Sequence, residues 1–123
     1  MADYIDGFAF PIQRDHIETY KGIASKVADI WRNHGAMNYQ EYLTDDPALE
    51  GTVPFTKAVD AKEDEVVIFG WVTFASKEAR DEANKKVAND PRVEALVAPL
   101  TQDTDRPIFD ATRMVYGGFK PLL

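Results

Sequence analysis

The sequence predicts an α+β domain of the ferredoxin-like kind: a split β-α-β order with an antiparallel sheet and its helices on one side. Three observations lead there. The chain has 123 residues, the length of one ordinary domain, and no repeat, low-complexity tract or linker divides residues 1–123. Strand-like and helix-like stretches follow one another as strand, helix, strand, short strand, strand, helix, strand. The strongest strand is apolar on both of its faces, which sets it apart from a strand with one wet side.

Residues 4–12 are rich in aromatic and β-branched side chains and read as a strand. Tyr4, Phe8 and Phe10 share one face with Asp6; Ile5, Gly7 and Ala9 share the other. Pro11 has no N–H to give, so pairing should weaken there. Asp15 followed by Glu18 is the signature of a helix start, a carboxylate cap with its box partner. Behind it Ile17, Tyr20, Ala24, Val27 and Trp31 recur at steps of three and four, widened by Ile23 and Ile30. Glu18, Lys21, Ser25, Asp29 and Arg32 take the opposite face, and Gly35 supplies the stop after His34.

Residues 36–43 alternate Met37, Tyr39 and Glu41 against Asn38, Gln40 and Tyr42, the pattern of a second strand. Residues 44–47 and 51–54 are a polar, turn-rich loop. Residues 55–61 read as a short returning strand, turned at Lys62-Glu63-Asp64 into the main strand at 66–74. Ser76 is placed to cap a second helix, with Glu78, Asp81 and Glu82 near its positive end and a thin stripe of Ala79, Ala83 and Val87. Asp90-Pro91 breaks that helix, and Pro91 starts another turn or two through Val93, Leu96 and Val97. A polar loop at 101–107 precedes a final strand at 112–120.

The two faces of the main strand point to an assembly. Val66, Ile68, Val72 and Phe74 lie one way and Val67, Phe69 and Trp71 the other; in the last strand Val115 and Phe119 oppose Met114 and Tyr116. Two helices cover one face of such a sheet. A second copy of the same sheet would cover the other, which predicts a homodimer paired through the sheet face. The competing reading folds residues 44–54 and 99–111 over that face within one chain.

Composition excludes several functions. Fourteen lysines and arginines against twenty-one aspartates and glutamates give a net charge of −7, which repels phosphates and argues against nucleic-acid partners and anionic membranes. There is no cysteine, so no disulfide framework and no thiol nucleophile. The opening residues are acidic where a signal peptide is basic, and no apolar run reaches the roughly 20 residues that span a bilayer. A cytoplasmic protein is expected.

Catalytic patterns are few. His16 and His34 form no metal-binding spacing, so no metal site is predicted from one segment; His34, in a helix's last turn, suits a capping role. Ser25 and Ser76 lie in no nucleophile elbow. Gly117-Gly118 opens no helix and so lacks the anion site of a phosphate loop; a bulge or close backbone approach fits better. The acidic clusters at 45–46, 60–65 and 103–105 lack calcium-loop spacing and read as solvated turns. More telling are the polar or amphipathic residues inside apolar strands: Asp6, Asn38, Glu41, Trp71, Arg113 and Tyr116. A buried charge needs a partner, and the first and last strands are neighbours in this fold, so Asp6 and Arg113 are expected to pair.

Several strings carry a family likeness: Tyr4-Ile5-Asp6-Gly7-Phe8, Asn33-His34-Gly35-Ala36, Phe69-Gly70-Trp71-Val72, Asn89-Asp90-Pro91-Arg92 and above all residues 109–119 (FDATRMVYGGF). Over nearly the whole chain the sequence resembles the DUF1428 family, small bacterial proteins of unassigned function. Gly70, where serine is more usual, and a longer polar stretch between Leu100 and Ile108 are departures. The resemblance implies a dimeric α/β barrel, two ferredoxin-like protomers with facing sheets. That superfamily includes cofactor-independent monooxygenases and haem-degrading enzymes, with pockets between sheet and helices lined by Asn, Trp, Tyr or His. By that likeness Trp31, His34, Asn38, Tyr39 and Trp71 are the candidate pocket. The expected ligand is a small apolar molecule of unknown chemistry; the alternatives are a monooxygenase-like enzyme and a dimer with no ligand. No cofactor is called for. Some members carry a label linking them to an RNA, which the charge does not favour.

Overall fold

A computed structural model describes residues 3–46 and 48–123. Pro47, read above as part of the polar loop, and the first two residues of the acidic opening lie outside them. Four strands form one antiparallel sheet: β1 (Tyr4–Gln13), β2 (Asn38–Leu43), β3 (Glu65–Phe74) and β4 (Val115–Phe119). Their order across the sheet is β2-β3-β1-β4. Helix α1 (Ile17–Asn33) joins β1 to β2, the single turn α2 (Phe55–Ala58) precedes β3, and α3 (Lys77–Ala88) and α4 (Pro91–Thr101) lead to β4. This is the expected ferredoxin-like α+β fold. Among the described residues no helix is long and apolar enough to cross a membrane.

The central ladder pairs β1 with β3 from Tyr4 opposite Phe74 to Gln13 opposite Glu65. Pro11 does not weaken it: Pro11 stands in register opposite Val67. β4 pairs only with the stretch from Ile5 to Ala9, so beyond Ala9 one side of β1 is unpaired, and an edge accommodates proline. The longer β1 also displaces the expected helix start. Asp15 falls in a 3-10 turn (Arg14–His16), and α1 begins at Ile17 with no side-chain cap. Ser76 does cap α3, accepting from the Ala79 N–H at 3.0 Å. Asp90 caps α4 by accepting from the Arg92 N–H at 2.9 Å. With Pro91 in its first turn, α4 runs to 11 residues rather than a turn or two.

The helices cover one face, where Phe10, Ile12, Phe74 and Val72 are almost wholly enclosed. Phe109 from the loop before β4 stands edge-on to Phe10, ring centres 5.0 Å apart, so that loop packs on the helix side, while its Arg106 reaches the end of the other face at Asp64 and Glu65. On the opposite face the segment around α2 does part of the covering. Val59 packs on Ala9 and Val67, and Phe55 meets Phe69 edge-on at 5.4 Å. The expected strand at 55–61 is therefore a helical turn. Pro54 starts it, its i and i+4 side chains reach the sheet, and Asp60 at φ 53° ends it. Even with that cover Tyr42, Phe69, Val115 and Phe119 are 40–56 % exposed.

The expected ion pair between Asp6 and Arg113 does not form. Register explains why: Asp6 lies opposite Gly118, while Arg113 sits in a 3-10 turn (Ala111–Arg113) ahead of β4, beyond the end of its ladder. That turn also shortens the expected last strand, because the Asp110 carboxylate accepts from Thr112 N–H and O–H at 3.0 and 2.6 Å. Asp6, 2 % exposed, instead accepts from Arg80 of α3 at 2.7 Å. The same guanidinium donates to Tyr4 Oη at 3.2 Å and stands over the Tyr4 ring. A side chain at Gly118 would strike that ring, so glycine is needed there for close approach.

Arg113 grips Glu65 with both terminal nitrogens, at 2.7 and 2.8 Å, and the Lys62 N–H donates to Glu65 at 2.7 Å. Those bonds hold the Glu65 carboxyl down at about 2. A depressed carboxyl adds stability above its unfolded value, and that stability is lost as pH falls through the folded one. Glu65→Gln should therefore cost about 3 kcal/mol near neutrality. In urea unfolding the gap from wild type should narrow as pH drops from 4.5 toward 2; a gap independent of pH would count against the pair.

Candidate functional site

The space between α1 and the edge strand β2 is not filled. In the middle of α1 the residues facing that edge are small, Ala24, Ser25 and Ala28, between Tyr20 and Arg32, whereas β2 turns Tyr39, Glu41 and Leu43 toward the helix. The result is a cavity of about 510 Å³, closed below by Ile68 and bordered at its mouth by Glu18, Lys21 and Arg32. Its lining is mostly apolar, the usual character of a small-molecule site.

Glu41 is the polar group inside. It lies opposite Gly70 of β3. The Phe8 ring leans over Gly70 so closely that a Cβ there would come within 2.6 Å of it, and Phe8 continues to Tyr39 at 6.4 Å between ring centres. Aromatic carbon thus replaces water around the carboxyl. Tyr20 of α1 donates its O–H to Glu41 Oε1. Glu41 Oε2 is fully enclosed and has no partner. Arg32, the guanidinium at the mouth, is occupied with Asp29 at 2.9 Å and the Tyr39 carbonyl at 3.3 Å.

Desolvation raises the Glu41 carboxyl above the ordinary glutamate range, and the Tyr20 hydrogen bond and the neighbouring Tyr39 phenol pull it partly back. Burial first, then the Glu41 charge, push the Tyr20 and Tyr39 phenols far up, so both tyrosines keep their protons. The site holds one displaced acid between two proton-bearing phenols. Chemically it can hold a proton in desolvated surroundings beside the cavity.

Of the five residues taken as the pocket, the structure brings only Tyr39 to this cavity. Trp31 is in the core, edge-on to Phe74 at 6.2 Å. Asn38 Oδ1 accepts from the Tyr39 N–H at 2.9 Å. Trp71 stacks on Tyr42 at 5.3 Å, on the sheet face away from the helices. His34 caps α1 and bonds through Nε2 to Asp90 Oδ2 at 2.8 Å, beside a shallow surface depression between α1 and α3. Glu41 was legible as a carboxylate in an apolar strand. Tyr20 was not, because a tyrosine in a helical stripe counts as apolar until the residue opposite it is known. Among the described residues no group of three or more metal-ligating side chains comes together.

Comparison with known proteins agrees with this architecture. The family model described as "Protein of unknown function (DUF1428)" matches residues 3–104, and the chain belongs to that family. The uncharacterized protein YbaA of Escherichia coli (strain K12) is 34 % identical over 120 residues, 98 % of this chain and 97 % of that protein. Among solved structures, a NIPSNAP family protein of unknown function from Agrobacterium tumefaciens superposes with a TM-score of 0.61 at 13 % identity, over 98 % of this chain and 88 % of its own. SnoaB, a cofactor-independent oxygenase from Streptomyces nogalater, superposes with a TM-score of 0.58 at 10 % identity, over 99 % and 96 %. At such identities the likeness is one of fold.

Proposed function

We propose that this DUF1428 chain binds a small, largely apolar molecule between α1 and β2, and that two copies pair through the outer faces of their sheets. The cavity carries the ligand reading. Its volume of about 510 Å³ falls in the range of roughly 300–1,000 Å³ usual for such sites, and its lining is mostly apolar with Glu41 and Tyr39 among it. The pairing rests on the outer sheet face, where four large apolar side chains stay 40–56 % exposed in a single copy. Facing sheets would close it into a barrel and leave each cavity on the far, helical side. The work of such a protein belongs in a reducing cytoplasm, which the absence of cysteine fits.

A second reading makes the same cavity catalytic. It is favoured by the fold shared with SnoaB, a cofactor-independent oxygenase, and by a displaced carboxyl flanked by two tyrosines. Oxygen uptake with a panel of quinols separates turnover from binding alone.

Ala28→Leu puts bulk into the cavity from α1. It should weaken calorimetrically measured binding of 2-ethylnaphthalene at least about tenfold, and unchanged affinity would place the ligand elsewhere. For the pairing, sedimentation equilibrium at roughly micromolar protein should show a dimer. Phe69→Glu, on the outer face, should give a folded monomer; Tyr116, which faces Arg80 on the helix side, is no test of it. A wild-type monomer would end the dimer reading.

A further inference from the structure

The five tyrosines of the chain keep their phenols in different company, and Tyr20 gives its proton to a carboxyl that no cation balances. Its O–H donates to Glu41 Oε1, and that carboxyl is desolvated. Among the described residues no cation is bonded to it. Glu18, Lys21 and Arg32 stand at the cavity mouth on α1, β2 adds Tyr39 and Tyr42, and β3 contributes only Ile68. Arg32 is committed to Asp29 and to the Tyr39 carbonyl. The other phenols sit differently. Tyr4 and Tyr116 both meet Arg80, whose charge is already matched by Asp6 at 2.7 Å. Tyr42 donates to the Gln40 side-chain carbonyl at 3.1 Å, a weak base. Tyr39 neighbours Glu41 and is the one rival to Tyr20.

Loss of an electron makes a phenol strongly acidic, so a tyrosine is oxidised most readily where a base already holds its proton. At Tyr20 that proton has only to cross an existing hydrogen bond. The transfer also turns an ionised, desolvated carboxyl into a neutral one, so a costly buried charge disappears instead of a new one forming. We propose that Tyr20 is a redox-active tyrosine, oxidised by a strong outer-sphere one-electron oxidant at the cavity while its phenolic proton passes to Glu41 Oε1. The electron leaves the Tyr20 ring, which lines the cavity, and goes to the oxidant. The phenolic O–H bond breaks as an O–H bond to Glu41 forms. Tyr20 becomes a neutral phenoxyl radical, Glu41 a neutral acid, and the oxidant is reduced by one electron with no bond to the protein. This role stands apart from the ligand and pairing readings above.

Flash oxidation of the full chain by photogenerated ruthenium tris-bipyridine, freeze-trapped at mildly alkaline pH and read by electron paramagnetic resonance, tests it. Ring-deuterated tyrosine identifies a tyrosyl signal. Wild type should give a persistent tyrosyl radical that Tyr20→Phe and Glu41→Gln each largely abolish and Tyr39→Phe keeps. Should Tyr20→Phe not fold, double resonance on the wild type in heavy water should show an exchangeable deuteron hydrogen-bonded to the phenoxyl oxygen. A tie between α1 and β2 with no redox role would give none of these signals. The proposal is overturned by a wild type without a persistent tyrosyl signal, or by a phenoxyl oxygen without that deuteron. It is equally overturned by a signal that survives Tyr20→Phe or Glu41→Gln, or one that Tyr39→Phe removes.

Discussion

Everything in this structure depends on the antiparallel ladder between β1 and β3. Ten residues of each strand are in register, from Tyr4 opposite Phe74 to Gln13 opposite Glu65, and both faces of the pair are apolar. A strand pair apolar on both faces lacks the alternation of a sheet with one side in water. The helices close one side around Phe10, Ile12 and Phe74. The other side is closed by Val59 and Phe55 only at one end. The bare remainder is a consequence of the ladder's composition, and a second copy is the cover that its shape and chemistry invite.

The same ladder sorts the carboxylates. Asp6 and Glu65 stand on the central strands and are nearly fully buried, and each has an arginine brought to it, Arg80 from α3 and Arg113 from the turn before β4. A buried charge deprived of its partner is strongly destabilising, so these are framework groups. Glu41 is different. It lies on the edge strand β2, its partner is a phenol, and one of its oxygens is left over. A buried polar atom without a partner is rare enough to mark this carboxyl apart from the other two. Two environments for the same chemical group thus occur along one sheet.

Much of this was legible in the sequence, and the misses share a cause. The two-sided pattern of β3, the stripe of α1 and the Ser76 cap follow from local periodicity and survive unchanged. Residues 55–59 misled because Phe55, Lys57 and Val59 alternate like a strand, while Phe55 and Val59 also fit one helical turn; only the sheet surface beneath decides. The partner of Asp6 was missed because neighbouring strands were taken to bring Asp6 and Arg113 level, whereas the register puts Gly118 opposite Asp6. The candidate pocket was chosen by residue type, and type does not reveal facing: Trp71 points to the outer face and Trp31 into the core. The cavity itself depends on how far Ala24 and Ala28 stand from an edge strand, a distance that no one-dimensional pattern encodes.

Glu41 is a desolvated acid beside the α1–β2 cavity. The most direct test of that is the titration of the Glu41 side-chain carboxyl by carbon-13 NMR, assigned by difference from Glu41→Gln. The account predicts a midpoint above the ordinary glutamate range, because desolvation dominates. It also predicts a further rise in Tyr20→Phe, because the phenol's hydrogen bond holds the value down. A midpoint at or below the ordinary range that Tyr20→Phe does not move would contradict it.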